Sequence, residues 1–327
     1  MFINKLITTA IAAFILIGFS SCEKDEPANP SIAAIAVTNS DFSLLEGAAV
    51  QGGVAVTLSN PNPNDLSGSY TVFAPTNDAF GRLGFAAEAD FRLLDKGFLT
   101  NTLLYHVSDG DLPGSSVEED MMSGSLLGPD RRFISRGGDL YINGSRILAT
   151  DVQAENGTVH VIDKVLLATG ADIVQSAIAL ASSQVFRTQE LSFLVEAVVY
   201  AELAEALTAS EGSPSFTVFA PSDAAFRQLG EDLGVPLEQP EDIRKLPKET
   251  VTAVLLNHVV ADGGKFTPEM NEGMVSPLGG SPLSIGAFND GVLTVQGNGN
   301  AQTANMVIPD VHTVNGVVHM IDRVLLP

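Results

Sequence analysis

Apolar and polar positions run through the same succession of patterns twice. Residues 71–80 read Thr-Val-Phe-Ala-Pro-Thr-Asn-Asp-Ala-Phe and residues 217–226 read Thr-Val-Phe-Ala-Pro-Ser-Asp-Ala-Ala-Phe, identical at seven of ten positions. Thr71, Val72 and Phe73 (Thr217, Val218 and Phe219) favour a strand. Pro75 and Pro221 stop it, having no N–H to donate. Thr76 and Ser222 then suit a helix N-cap, with Asp78 or Asp223 near the positive end of the new helix. Helical patterns are expected over Asp41 to Gly53, where Gly47, Gly52 and Gly53 weaken the case, and from Glu88 to Val107. The partner of the first, Leu191 to Leu207, has few breakers and reads as the stronger helix. Aligning Glu46 with Glu196 puts Leu44 and Leu194 on one face.

Further repeats follow in order. Leu103-Leu104-Tyr105-His106-Val107 returns as Leu255-Leu256-Asn257-His258-Val259, each ahead of an Asp-Gly loop. Leu140 to Ile142 and Arg146 to Leu148 flank Asn143-Gly144, a hairpin signal. Val292 to Val295 and Ala304 to Val311 hold the equivalent places. Val159-His160-Val161-Ile162-Asp163-Lys164-Val165-Leu166-Leu167 returns as Val318-His319-Met320-Ile321-Asp322-Arg323-Val324-Leu325-Leu326, again after Asn-Gly. The copies lie 146, 152 and 159 residues apart, so the second half carries modest insertions, the first near Glu231 to Pro247. This is a tandem duplication.

A Thr-Val-Phe-Ala-Pro strand–helix turn, a Leu-Leu-x-His segment and a closing Val-His-x-Ile-Asp-x-Val-Leu strand, in that order, resemble the fasciclin domain. The resemblance implies two tandem α+β domains, at 32–168 and 169–327, each a small β-sandwich packed against a helical layer. It also implies a role in adhesion and matrix contact without a common catalytic centre. Asn257 departs from the family pattern, which often has the Tyr kept here as Tyr105. That departure weighs against a binding role for this pair in the second domain.

The histidines are the candidates for chemistry. His106, His160, His258 and His319 form one matched pair per domain, while His312 faces Gln153 in the repeat and belongs to no shared site. Metal binding would need them to converge with carboxylates. Set among apolar neighbours, they read as core histidines held by hydrogen bonds. Alternation places His160, Ile162 and Lys164 on one strand face and Val161, Asp163 and Val165 on the other. Asp163 and Asp322 then serve as acceptors for backbone N–H groups at a sheet end. Asp109-Gly110-Asp111 and the Asn60 to Asp65 loop offer oxygens to calcium but lack EF-hand spacing. There is no Gly-x-Ser-x-Gly, His-Glu-x-x-His, P-loop or dinucleotide fingerprint. No catalytic residue, cofactor or metal is assigned.

The 327 residues suit two domains. The formal charge of −22 disfavours nucleic acid as a partner. Residues 1–21 carry Lys5 as their single charge and an apolar run from Leu6 to Phe19, ending in Ser20-Ser21 before the only cysteine, Cys22. This is a secretory signal, too short to prefer a permanent span. It resembles a bacterial lipoprotein signal, which implies acylation of Cys22 and a membrane anchor. Lys24, Asp25 and Glu26 resemble an export signal of surface lipoproteins, within a tether at 22–31. The reading is a surface-exposed lipoprotein of a bacterial outer membrane that meets an extracellular protein or glycan. The alternative is a binder of glycan or a small apolar ligand. With no Trp and four Tyr, sugar stacking has little to work with, whereas 17 Phe could line an apolar cavity. Recognition is expected on the segments that differ between halves: Glu118 to Arg136, Glu231 to Glu249 and Lys265 to Pro282.

Overall fold

The computed structural model describes residues 29–182, 191–209, 212 and 214–327. The signal sequence, Cys22, Lys24, Asp25 and Glu26 lie outside the described residues. The first domain's strands are β1 (Tyr70–Pro75), β2 (Val107–Asp109), β3 (Met122–Ser123), β4 (Arg131–Arg136), β5 (Asp139–Ile142), β6 (Ser145–Ala154) and β7 (Gly157–Ile162). A short β8 (Leu167–Ala168) leads to the second set: β9 (Phe216–Pro221), β10 (Val259–Val260), β11 (Gly273–Val275), β12 (Leu283–Ile285), β13 (Thr294–Gly297), β14 (Ala304–Thr313) and β15 (Gly316–Ile321). The sheets follow one path, β2-β1-β7-β6-β5-β4-β3 and β10-β9-β15-β14-β13-β12-β11. The chain is two tandem α+β domains of one fold.

The duplicated motifs build the centre of each sheet. β1 lies parallel to β7 from Tyr70↔Gly157 to Pro75↔Ile162, and β9 lies parallel to β15 in the same way. Both faces of this pair are covered, and its residues are buried almost without interruption. Val72 and Val159 join the cluster under the helices, while Phe73 and Ile162 point into the fold of the sheet. There Phe73 meets Phe133 of β4, ring centroids 5.9 Å apart. β7, β6 and β5 separate these strands in the sheet, so the sheet closes over on itself as a sandwich. Register shifts in β6 and β14, where Asp151 and Asp310 take φ of 62° and 66°, supply the bend. Gly157 permits the parallel approach, since a Cβ there would lie 1.9 Å from the Tyr70 carbonyl oxygen.

The helical layers are α1 (Ile32–Thr38), α2 (Ser43–Gly52), α3 (Ala55–Leu58), α4 (Asn77–Gly81) and α5 (Lys96–Tyr105), repeated as α6 (Ile173–Ser182), α7 (Ser192–Tyr200), α8 (Ala204–Leu207), α9 (Asp223–Leu233) and α10 (Lys248–Leu256). Thr76 caps α4 and Ser222 caps α9, each hydroxyl accepting from a backbone N–H three residues on, at 3.3 Å. α9 runs 11 residues against five in α4 and ends at Gly234, φ 66°, which accounts for the first insertion.

The expected helix from Leu191 to Leu207 is interrupted. α7 stops at Tyr200 because Glu202 turns left-handed, φ 60°, with Glu202 N donating to Val199 O and Leu203 N to Val198 O. Gly53, φ 77°, ends α2 with the same pair of bonds, Gly53 N to Val50 O and Val54 N to Ala49 O. The glycine that weakened the first helix on paper is its C-cap. In the second copy Glu202 takes that conformation instead. Between Glu88 and Val107 the chain forms a 3-10 helix, Glu88–Leu93, before α5.

The domains share a core. One apolar cluster runs from Leu44, Phe80 and Leu99 through Val165 and Leu167 to Phe193, Phe226 and Val311. Leu167 and Ala168, at the end of the first repeat, pair in parallel with Val311 and His312 of the second domain's sheet.

Candidate functional site

The side chains of the strand–helix motifs are consumed by the fold. Thr71 is buried, donating to Gly110 O and accepting from Leu112 N, both at 2.8 Å. Thr217 donates to Asp262 Oδ1 at 2.6 Å and accepts from Lys265 N at 2.9 Å. Phe73 stacks on His160 with centroids 5.3 Å apart, and Phe219 lies 6.0 Å from His319. Pro75 and Pro221 close strands whose next N–H groups, on Thr76 and Ser222, bond to Ile162 and Ile321 carbonyls.

The histidines do not converge. His106 caps α5: Nδ1 donates to Thr102 O (2.7 Å) and Nε2 accepts from Leu166 N (2.9 Å). His258 repeats this with Val254 O (2.7 Å) and Leu325 N (2.8 Å). Each ring ties a helix end to the chain beyond the closing strand. Burial pushes both down to about pH 4, so they are neutral at pH 7. His160 Nε2 donates to Leu112 O (2.8 Å) and His319 Nε2 to Lys265 O (2.9 Å), holding the loops after β2 and β10. Burial lowers these two as well.

Asp163 and Asp322 join strand ends. Asp163 Oδ1 accepts from Arg146 N at 2.7 Å, and Asp322 Oδ1 accepts from Asn305 N at 2.7 Å. In the proposed calcium loops, Asp109 Oδ1 accepts from Asn62 Nδ2 at 2.8 Å, while Asp65 Oδ2 takes the Ser67 and Ser69 amides at 3.0 Å. Among the described residues no group of three or more His, Cys, Asp and Glu could hold a metal ion. Lys164 does not extend the β7 alternation, since that strand ends at Ile162.

A buried polar cluster lies between the domains. Lys164 Nζ sits 2.8 Å from Asp310 Oδ2 and 2.8 Å from Gly291 O, both side chains buried. Burial alone would raise Asp310, but Lys164, His319 and the Thr267 N–H together hold it below the usual carboxylate value. Tyr105, fully buried, places its hydroxyl 2.8 Å from His312 Nδ1 and accepts from Asn143 Nδ2 at 2.8 Å. With Asn143 donating, the hydroxyl proton goes to His312, whose pKa burial and Arg132 push down to about 4. Arg132 bonds Glu269 at 2.6 Å over the Phe266 ring. Arg136 donates to the carbonyls of Pro268 (2.8 Å) and Met270 (2.6 Å) over Phe288.

This interface corrects two expectations. His312, set aside because Gln153 replaces it in the repeat, is a contact residue. Arg131 to Arg136 and Phe266 to Met270, expected among the free recognition segments, face each other across the boundary. Arg131 itself is fully buried, with Nη1 donating to Tyr105 O at 2.7 Å and its guanidinium 4.8 Å above Phe73.

The fasciclin domain matches residues 40–168 and 189–327. The chain belongs to the fasciclin domain family. It is 30% identical over 264 residues to the transforming growth factor-beta-induced protein ig-h3 of Sus scrofa, an alignment covering 80% of this chain and 35% of that relative. It therefore spans about a third of the relative's length. It is 38% identical over 112 residues to the cell surface glycolipoprotein MPB83 of Mycobacterium bovis, covering 33% of this chain and 50% of MPB83. A solved FAS1 domain pair from the insect cell adhesion molecule Fasciclin I aligns over 90% of this chain and 96% of its own, at 16% identity and a TM-score of 0.40.

Proposed function

We propose that this protein is a cell-surface adhesion or interaction protein without catalytic activity, held to a bacterial outer membrane through acylated Cys22. The observation that carries the reading is the fate of the repeated motifs. Apart from the exposed Asp78, their Thr, Phe, His and Asp side chains serve internal hydrogen bonds or packing, which leaves the acidic exposed loops to meet a partner. Family membership and relatives such as ig-h3 and cell-surface MPB83 support the same role. Among the described residues no helix is long and apolar enough to cross a membrane.

Purified protein is assayed for adhesion to cells, matrix and glycans at two ionic strengths. Attraction of a cationic partner to a surface of net charge −22 weakens with salt. Replacing residues 231–249 by the shorter first-domain counterpart should reduce adhesion while the protein still unfolds in one cooperative transition. Adhesion to nothing, or adhesion indifferent to every exposed loop, sinks the reading. For the anchor, Cys22→Ala should release the protein from the membrane fraction or leave it uncleaved, while external protease removes the wild type from intact cells. Unchanged fractionation with full protection removes that half of the proposal.

A further inference from the structure

Each domain holds an apolar cavity at the same place, beneath its first three helices and against its central strand. The first measures about 160 Å³ and the second about 90 Å³. Their equivalence follows from two clamps. Asn156 accepts from Ile32 N at the start of α1 and donates to Leu58 O at the end of α3. Asn315 does the same to Ile173 N and Leu207 O. With those ends matched, Ala36 and Val37 of one wall correspond to Ala177 and Ile178 of the other. His106 and His258 line the two cavities, yet both nitrogens of each ring are already bonded, so only ring carbon is left to face inward.

The mouths are largely apolar, with Glu46 and Ser59 beside the first. Val37 and Val50 are 60% and 66% exposed at the first, and Ile178 and Val199 are 47% and 52% exposed at the second. Duplication alone would repeat a packing defect, but it would not keep exposed aliphatic side chains at both mouths. Voids cost the contacts their linings forgo. A cavity of about 150 Å³ lined by aliphatic side chains and Phe stays dry and takes up benzene.

We propose that the first-domain cavity is a binding site for a small uncharged hydrocarbon group, benzene-sized in its buried part, and that the second-domain cavity is its tighter counterpart. The group is a free hydrocarbon or the tail of an amphiphile whose head stays at the mouth. A polar ligand is disfavoured because no unpaired donor or acceptor lines the floor. This site is separate from the loops proposed for adhesion.

The test uses the full chain and two probes, benzene and octanoate, followed by ligand-detected NMR. Saturable benzene binding is expected in the wild type. Ala36→Leu, which fills the cavity, and Val37→Asp, which charges its mouth without touching the core, should each weaken it at least fivefold. Adhesion should be retained in both variants. Octanoate competing with benzene identifies the tail of an amphiphile; octanoate failing to compete identifies a free hydrocarbon. Absence of saturable benzene binding in the wild type overturns the proposal. So does binding unchanged in both variants, with Val37→Asp deciding if Ala36→Leu fails to fold.

Discussion

Gly144 and Asp310 stand so close that a Cβ on residue 144 would lie 1.8 Å from Asp310 Oδ2. The Asn143-Gly144 turn therefore does more than close a hairpin. It lets the first domain approach the carboxylate that Lys164 also reaches, and Asn143 Oδ1 accepts from Arg132 N at 2.8 Å within the same turn.

Breaking this contact should uncouple the domains. Lys164→Met leaves Asp310 buried without its cation, a situation that costs about 3–5 kcal/mol. The double variant Lys164→Met/Asp310→Asn should recover much of that, because the amide needs no counter-charge, still accepts from Thr267 N and tolerates the left-handed φ of 66° at this position. Gly144→Ala should act like the single variant by steric exclusion. Urea unfolding followed by fluorescence and circular dichroism checks this. The wild type should unfold in one transition, and Lys164→Met and Gly144→Ala in two. A single unshifted transition in both would refute the coupling.

The capping histidines predict an acid transition. His106 and His258 have folded pKa values of about 4 against 6.5 in the unfolded chain, so the unfolded state binds more protons between these limits. Their stabilising contribution is complete above pH 6.5 and is lost as pH falls towards 4, by up to about 3 kcal/mol each. Protonating Nε2 removes the acceptor for Leu166 or Leu325 N–H. Asp310, also depressed, adds stability that disappears only as pH falls below its unfolded value near 3.8, so it is silent in that window. Urea midpoints at pH 7, 5.5 and 4.5 should drop steadily, and His106→Gln should flatten the slope. An unchanged midpoint would contradict neutral, bonded rings.

The sheet centres were legible because each copied motif supplies its own neighbours: Val72 pairs with Val159 and Phe73 with His160, and both partners sit in repeated strings. The interface was not, and for a physical reason. A head-to-tail contact uses different faces of the two domains. Several residues that make it are those where the copies differ: Tyr105 against Asn257, His312 against Gln153. Repetition, the signal that exposed the fold, hides such positions. Glu202 was illegible differently, since nothing local to a glutamate announces a left-handed φ. Aligning Glu46 with Glu196 sets Leu203 opposite Gly53; the matched helix-end bonds instead pair Gly53 with Glu202 and Leu44 with Phe193, one residue earlier.

Asn257 should be a stability defect. It stands where the first domain has Tyr105, is fully buried, and neither Oδ1 nor Nδ2 has a hydrogen-bond partner among the described residues. An unpaired buried amide costs about 1–3 kcal/mol relative to a bonded one. Asn257→Leu, close to it in size and free of polar atoms, should raise the second domain's stability by about 1 kcal/mol. Chemical denaturation of the full chain decides it. A loss of stability would mean that the amide is satisfied in solution.

Tyr105 and His312 carry the last prediction. The hydroxyl both donates to His312 Nδ1 and accepts from Asn143 Nδ2, so Tyr105→Phe strands two polar atoms in a buried site. The expected loss is about 1–3 kcal/mol, more than the net value of one ordinary hydrogen bond. His312→Phe removes the other end and puts an apolar ring against Phe266, whose centroid is 5.6 Å from the imidazole. If the pair acts as a unit, the double variant should be less destabilised than the sum of the singles by about 0.5–2 kcal/mol. The effect should also carry a pH signature. His312 must be neutral to accept, and its pKa is held near 4, so the wild-type coupling should persist at pH 5.5 and weaken as pH falls through about 4. Strict additivity at pH 7 would show that the two side chains are merely adjacent, and Lys164 with Asp310 would then remain the principal polar tie between the domains.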